Sequence, residues 1–269
     1  MPAPQETYSH GHHGSVLRSH RWRTADNSAA YLLPRLRPQD RVLDLGCGPG
    51  SITLDLASRL ASGWVTGLDR APAAVEAARQ AAENQAATRV GFVVGDVYDL
   101  PWPDDAWDVV HAHQVLQHLG DPVRALRSMA RVCRPGGLVA ARDADYAAMA
   151  WYPEHPGLSR WLVLYRDLAR RNGGEPDAGR RLRSWALAAR LPRASCTASV
   201  WCFADPDDVA WWSDTWADRV TQSSFARLAV ERGLADEGEL AELGRSWREW
   251  GAAPDAWFSI VHGEIVIEV

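Results

Sequence analysis

Between residues 41 and 142, short apolar runs alternate with stretches of helical period. The runs are Arg41–Leu45, Trp64–Leu68, Val90–Val94, Trp107–His111 and Leu138–Arg142. Runs of this length and composition form buried strands. Between them, Ser51–Ala61, Pro72–Asn84 and Pro122–Val132 read as helices. In the first of these, Ile52, Leu54, Leu56, Ala57 and Leu60 recur at helical spacing. Pro72 stands early in a first turn, where its missing N–H costs little. Five strands alternating with helices predict an α/β domain: a mostly parallel sheet with helices on both faces. In such sheets a ligand sits beyond the C-terminal strand ends, where the strand order reverses.

After residue 145 the pattern changes. Leu158–Arg170 and Gly179–Arg190 are helical, with Gly173-Gly174 as the break between them. Cys196–Phe203 alternates as a sixth strand, and Ile260–Val269 reads as a seventh. Residues 205–253 carry two or three helices with Trp211, Trp212, Trp216, Trp247 and Trp250. An insertion between the last two strands belongs over the substrate side. At the N-terminus a loop through Tyr8 and His13 precedes two short helices, Val16–Arg23 and Thr24–Leu33, closed by Pro34 and Pro38. The expected division is therefore a lid over 1–40, a core over 41–204, a helical cap over 205–255 and a final core strand over 256–269.

The chemistry concentrates where the first strand ends. Val42–Leu45 runs into Gly46, Gly48 and Gly50, three glycines in five residues, and a helix follows at once. Strand, glycine turn and helix open a nucleotide-binding βαβ unit, because bare backbone and unpaired helix N–H groups can meet a ligand. The dinucleotide spacing needs a glycine at i+5, and Ser51 stands there. All 29 basic residues are arginine. A Walker lysine and lysine Schiff-base chemistry are thus absent. Asp69 ends the second strand, about twenty residues past the loop, where a carboxylate can accept hydrogen bonds from ribose hydroxyls. Gly95-Asp96-Val97 ends the third.

Asp44-Leu45-Gly46-Cys47-Gly48-Pro49-Gly50 is followed in order by Asp69, Gly95-Asp96, Asp104–Val110, His113–Leu119 and Arg134-Pro135-Gly136-Gly137. This succession resembles class I S-adenosylmethionine (SAM) methyltransferases of the small-molecule, ubiquinone-biosynthesis-like (methyltransferase type 11) family over residues 40–145. The resemblance implies a Rossmann-like seven-stranded sheet with an N-terminal helical lid and a helical cap. It implies SAM as cofactor, with Asp44, Gly46, Cys47 and Gly48 at the methionine part. Asp69 and Arg70 would lie at the ribose, and Gly95, Asp96 and Val97 at the adenine. His113 opens the segment whose backbone meets the methionine amine, and Arg21 of the lid would reach the carboxylate. Candidate catalytic residues are His118, Asp145 and, from the lid, Tyr8 and His13. Where the family often ends a late helix with Ala-Gly-Phe, this chain has Ala189-Arg190-Leu191-Pro192, so substrate-side detail does not carry over.

Methyl transfer from a sulfonium is an in-line displacement in which positioning does much of the work. A base is needed only where the acceptor must lose a proton. The resemblance implies a small aromatic or hydrophobic acceptor, methylated on carbon, nitrogen or oxygen. Indole C3 of a tryptophan-derived cyclic dipeptide is one such acceptor, and a ubiquinone or menaquinone ring carbon is another. A secondary-metabolism enzyme fits the Tyr/His-rich lead and the Trp-rich cap. The rivals are a non-catalytic SAM-binding regulator and a nicotinamide-linked oxidoreductase.

Composition narrows the partners. The chain has 269 residues and a formal net charge of −5. An acidic balance disfavours nucleic acid as partner, and an N-P-P-Y-type motif is missing after the fourth strand. There is no apolar run of membrane-spanning length, and Met1–His13 is polar, so no membrane partner and a cytoplasmic location are expected. Cys47, Cys133, Cys196 and Cys202 lack C-x-x-C spacing and read as reduced thiols. His10, His12 and His13 find no matching ligand cluster, so no metal is expected. The expected partner is a small-molecule methyl acceptor, with a homodimer open as the assembly.

Overall fold

The computed structural model describes residues 22–269. Its centre is one sheet. The parallel strands are β1 (Arg41–Leu45), β2 (Trp64–Asp69), β3 (Val90–Val94), β4 (Trp107–His113) and β5 (Cys133–Ala144), in the order β3-β2-β1-β4-β5. The order reverses between β1 and β4, and that places the ligand crevice beyond Leu45 and His113. β8 (Trp257–Glu268) then runs antiparallel to β5. It pairs along its other edge with β7 (Ala194–Phe203), and its first residues pair with β6 (Ala150–Tyr152). The expected seven strands are present, and β6 is an eighth. Three residues are too few to show a period. β5 also starts earlier than expected, because Arg134-Pro135-Gly136-Gly137 lies within the strand.

Alternation along the strands assigns the faces. Leu43, Leu45, Val110 and Ala112 pack under α4 (Pro122–Val132) and α6 (Leu182–Ala188). Val42, Val65, Val109 and Ala140 pack on the other face with Ala25, Leu32 and α2 (Ser51–Arg59). α3 (Pro72–Asn84) joins α2 through Val75, Ala78 and Phe92. The expected helix Thr24–Leu33 is shorter: α1 spans Ala25–Ser28. Thr24 caps it, its hydroxyl accepting from the Asn27 N–H at 3.2 Å. Val16–Arg23 lies almost wholly outside the described residues. Gly179–Arg190 divides into a 3-10 turn, Ala178–Arg181, and α6.

A second core lies beyond β6 and β7. Residues 205–253 form three helices, α7 (Pro206–Gln222), α8 (Ser224–Glu231) and α9 (Glu237–Gly251), packed against α5 (Pro156–Arg171). Trp161, Trp216, Trp247 and Trp250 are fully buried there. Trp161 meets Trp216 and Trp247 edge-on, at 4.4 and 4.8 Å between ring centroids. Edge-to-face contact is the arrangement that aromatic quadrupoles favour. Most of the tryptophan content thus builds this core.

Candidate active site

The glycine turn after β1 holds Gly46, Gly48 and Gly50 at φ of +64°, +53° and +83°. Only glycine adopts this region freely. A Cβ on Gly46 would overlap the Val115 side chain. Asp69 is locked from both sides: its carboxylate accepts the Gly48 N–H at 3.0 Å and the Ala71 N–H at 2.9 Å. Asp96 accepts the Tyr98 N–H at 2.9 Å. Below the turn, Asp44 is buried and accepts from His111 Nδ1–H at 2.8 Å and the Thr53 hydroxyl at 2.6 Å.

One cavity of about 540 Å³ runs from this turn to the helical insertion. Asp44, Gly46, Cys47, Gly48, Asp69, Arg70, Gly95, Asp96, Val97 and His113 all line it, so the expected cofactor-binding residues within the described region are brought together. Arg21, Tyr8 and His13 lie outside the described residues. His118 also lines the cavity. Burial, aided by the charge of Arg23, pushes its imidazole down to about 3, and the Gln117 side-chain amide donates to its Nε2 at 3.1 Å. Asp145 does not line the cavity. Arg180 takes both of its oxygens, at 2.6 and 2.8 Å, so the catalytic part expected of Asp145 has no geometric footing.

The other end of the cavity was not legible in the sequence. Trp201, Trp212, Tyr146, Met149 and Ile260 wall it, with Trp22 closing one side against Trp201 at 5.0 Å. His262 lies behind this wall. Its Nδ1–H donates to the Ile260 carbonyl at 3.2 Å, and its Nε2 accepts from the Gln114 amide at 2.8 Å. The Gln114 oxygen in turn accepts from Arg23 at 2.7 Å. His113 is buried with both ring nitrogens without a hydrogen-bond partner. Burial first, then the charges of Arg23 and Arg142, hold His113 well below the usual imidazole range. Burial lowers His262 in the same way. Asp143 lies deeper, accepting the Gln117 N–H at 3.1 Å, and burial pushes it up to about 8. The signal that could have revealed this wall is parity: Trp201, Ile260 and His262 alternate onto the sheet face that carries His111 and His113.

The sequence profile of a methyltransferase-domain family, Methyltransf_31, matches residues 36–171. An uncharacterised methyltransferase of Schizosaccharomyces pombe is 34% identical over 278 residues, spanning 98% of this chain and 97% of its own. The chain belongs to this methyltransferase family. Among solved structures, the YcgJ protein of Bacillus subtilis superposes with a TM-score of 0.55 at 20% identity, over 96% of this chain and 99% of its own. A geranyl diphosphate methyltransferase in complex with SAM gives a TM-score of 0.53 at 17% identity, over 95% and 89%. Both share the Rossmann-like fold.

The methyltransferase uses SAM as methyl donor, and its crevice suits that molecule. The turn carries no side chain at Gly46 and Gly48, and so admits a ligand against backbone. Carboxylates stand at two successive strand ends, Asp69 and Asp96, where hydroxyl and amino donors of a nucleoside can be met. Among the described residues, no group of three His, Cys, Asp or Glu side chains could hold a metal ion. No helix there is long and apolar enough to cross a membrane.

Proposed function

We propose that this methyltransferase acts on a small acceptor with a flat, largely apolar body, held beneath α7 to α9 as a cap. The observation that carries this reading is the continuity of the cavity. The strand-end acids and the indole wall of Trp201 and Trp212 border one space. Aromatic walls with few polar groups suit a flat ligand. Bound at the crevice, SAM supplies a methyl group on a cationic sulfur, open to displacement by a nucleophile.

In this reading Asp69 accepts from the ribose hydroxyls, beside Arg70. Asp96 accepts from the adenine amino group, next to Gly95 and Val97. The backbone from Gly46 through Cys47 to Gly48 meets the methionine part, which Asp44 steadies from below. His113 offers a hydrogen bond at the junction of the two ends, and His118 shapes the wall as a neutral ring. Neither imidazole is a strong base here, since burial disfavours its protonated form. The acceptor nucleophile is accordingly one that needs little help with deprotonation, such as an electron-rich ring carbon or an acidic hydroxyl. Trp22 and Arg23, the first of the described residues, wall the cavity on the side where the sequence places a lid. The net charge of −5 supports small molecules as substrates over nucleic acid, in a cytoplasmic enzyme of secondary metabolism.

The test is calorimetric titration with SAM, with S-adenosylhomocysteine (SAH) and with NADH. Saturable binding of both sulfur ligands and none of NADH is expected. Incubation with SAM and panels of indoles, phenols and quinone precursors should then give an acceptor mass increase of one methyl group. Absence of binding by either sulfur ligand would refute the site.

A further inference from the structure

Of Asp44, Asp69 and Asp96, the acids that line the cavity, Asp44 alone is buried. A buried carboxylate is costly unless its oxygens find donors. Two elements supply them. His111 on β4 gives its Nδ1–H to one oxygen at 2.8 Å, and Thr53 on α2 gives its hydroxyl to the other at 2.6 Å. Asp44 and His111 are register partners across the β1–β4 pair, where the strand order reverses. The turn of the sheet that opens the crevice therefore also sets this contact. His111 is 0% exposed and does not itself line the cavity. Tyr31 packs beside its ring, at 6.4 Å between centroids.

The state of the ring follows from its surroundings. Nε2 of His111 is buried and has no hydrogen-bond partner. A proton there would be left without an acceptor, whereas a proton on Nδ1 has Asp44. The ring thus donates as a neutral imidazole, and the Thr53 hydroxyl is neutral as well. Among the described residues, no arginine forms an ion pair with Asp44. Both donors give the carboxylate a direction, and neither brings a charge that would neutralise it.

We propose that His111 is a positioning residue for the methyl donor: through Nδ1–H it aims the Asp44 carboxylate at the ammonium of the methionine part of SAM. This rests on the methyltransferase reading and assigns recognition of that cation to a residue behind the crevice wall. A carboxylate fixed in advance gives up little freedom when the ligand arrives. In a buried setting its bond to an ammonium is also stronger than it would be in water. A cationic residue in place of His111 would compete with the ligand for the same charge.

The experiment titrates the full chain with SAH and with 5′-methylthioadenosine, which shares the adenosine and the sulfur but lacks the amino-acid end. The wild-type protein should bind SAH at least ten times more tightly. His111→Asn keeps an amide N–H where Nδ1 stands and should hold that preference within about threefold. His111→Gln carries the same amide one carbon further out. It should cut SAH affinity at least tenfold while 5′-methylthioadenosine binds as before. Should His111→Gln fail to fold, His111→Leu gives the same comparison. Equal wild-type affinities for the two ligands, an unchanged preference in the folded Gln or Leu variant, or an equal loss of both ligands overturns the proposal. Failure of the wild-type protein to bind SAH instead overturns the methyltransferase reading beneath it.

Discussion

Asp69 receives two backbone N–H groups, from Gly48 and Ala71, so its carboxylate has a set direction before any ligand arrives. Removing it takes away a charged acceptor and one anchor of the glycine turn together. A hydrogen bond to a charged group contributes roughly 1.5–3 kcal/mol. Asp69→Ala should therefore weaken SAH binding at least tenfold by calorimetry, and an unchanged affinity would remove Asp69 from the ribose site. At this scale the sequence was informative where function sits at a strand end. Asp69 was singled out by its place after the glycine turn, and Asp44 and Asp96 by the family resemblance; all three line the cavity. Gln114, His262, Arg219 and Trp201 were not, because their neighbours lie far off in sequence: the Gln114 amide and the His262 ring are 148 residues apart. Asp145 was named without its partner for the same reason, Arg180 being 35 residues on.

Among the elements, β8 and the Ala178–Arg181 turn meet backbone to backbone at a pair of glycines. A Cβ on Gly263 would run into the backbone of Gly179, and one on Gly179 would strike the Gly263 nitrogen and the Asp143 carbonyl. Backbone cannot yield as a side-chain tip can. Gly263→Ala should destabilise the fold by about 1–3 kcal/mol, the usual range for overpacking, seen as a Tm lower by several degrees. A Tm equal to wild type would show that the turn gives way freely. The elements that periodicity announced, β1 to β4 and α2 to α4, are those buried on a regular face. β6 and the 3-10 turn before α6 escaped notice because tertiary pairing, not local pattern, defines them.

Across the whole molecule, buried titratable groups set the response to pH. His113, His118 and His262 all have folded values below the ordinary 6.5. Stability from these three is therefore present above pH 6.5 and lost as pH falls below it, because the unfolded chain takes up protons that the folded one refuses. Asp143 works the other way. Its value of about 8 lies above the usual 3.8, so its contribution is lost as pH rises between those values. Below pH 6.5 the three histidines outnumber Asp143, so the unfolded chain binds more protons from these groups than the folded one. Stability should therefore climb with pH there. Tm should then peak near pH 6–7 and ease off toward pH 8. A Tm that keeps rising through pH 8 would contradict the assignment of Asp143, and a Tm flat from pH 4 to 6 would contradict that of the histidines.

The helices over the indole wall leave the sheet after Phe203 and return to it before Phe258, and those two residues are direct partners across the β7–β8 pair. The departure and return points of residues 204–257 are thus neighbours in space, so the span is a loop whose ends the hairpin already closes. A lineage could lengthen, shorten or replace this span with little disturbance to the strands that hold the cofactor, provided the exchange kept an apolar face for α5 and Trp161. Acceptor choice and cofactor binding can then drift at different rates within one chain. Chimaeras spliced at Phe203 and Phe258 would be a natural way to move a substrate preference from one relative to another.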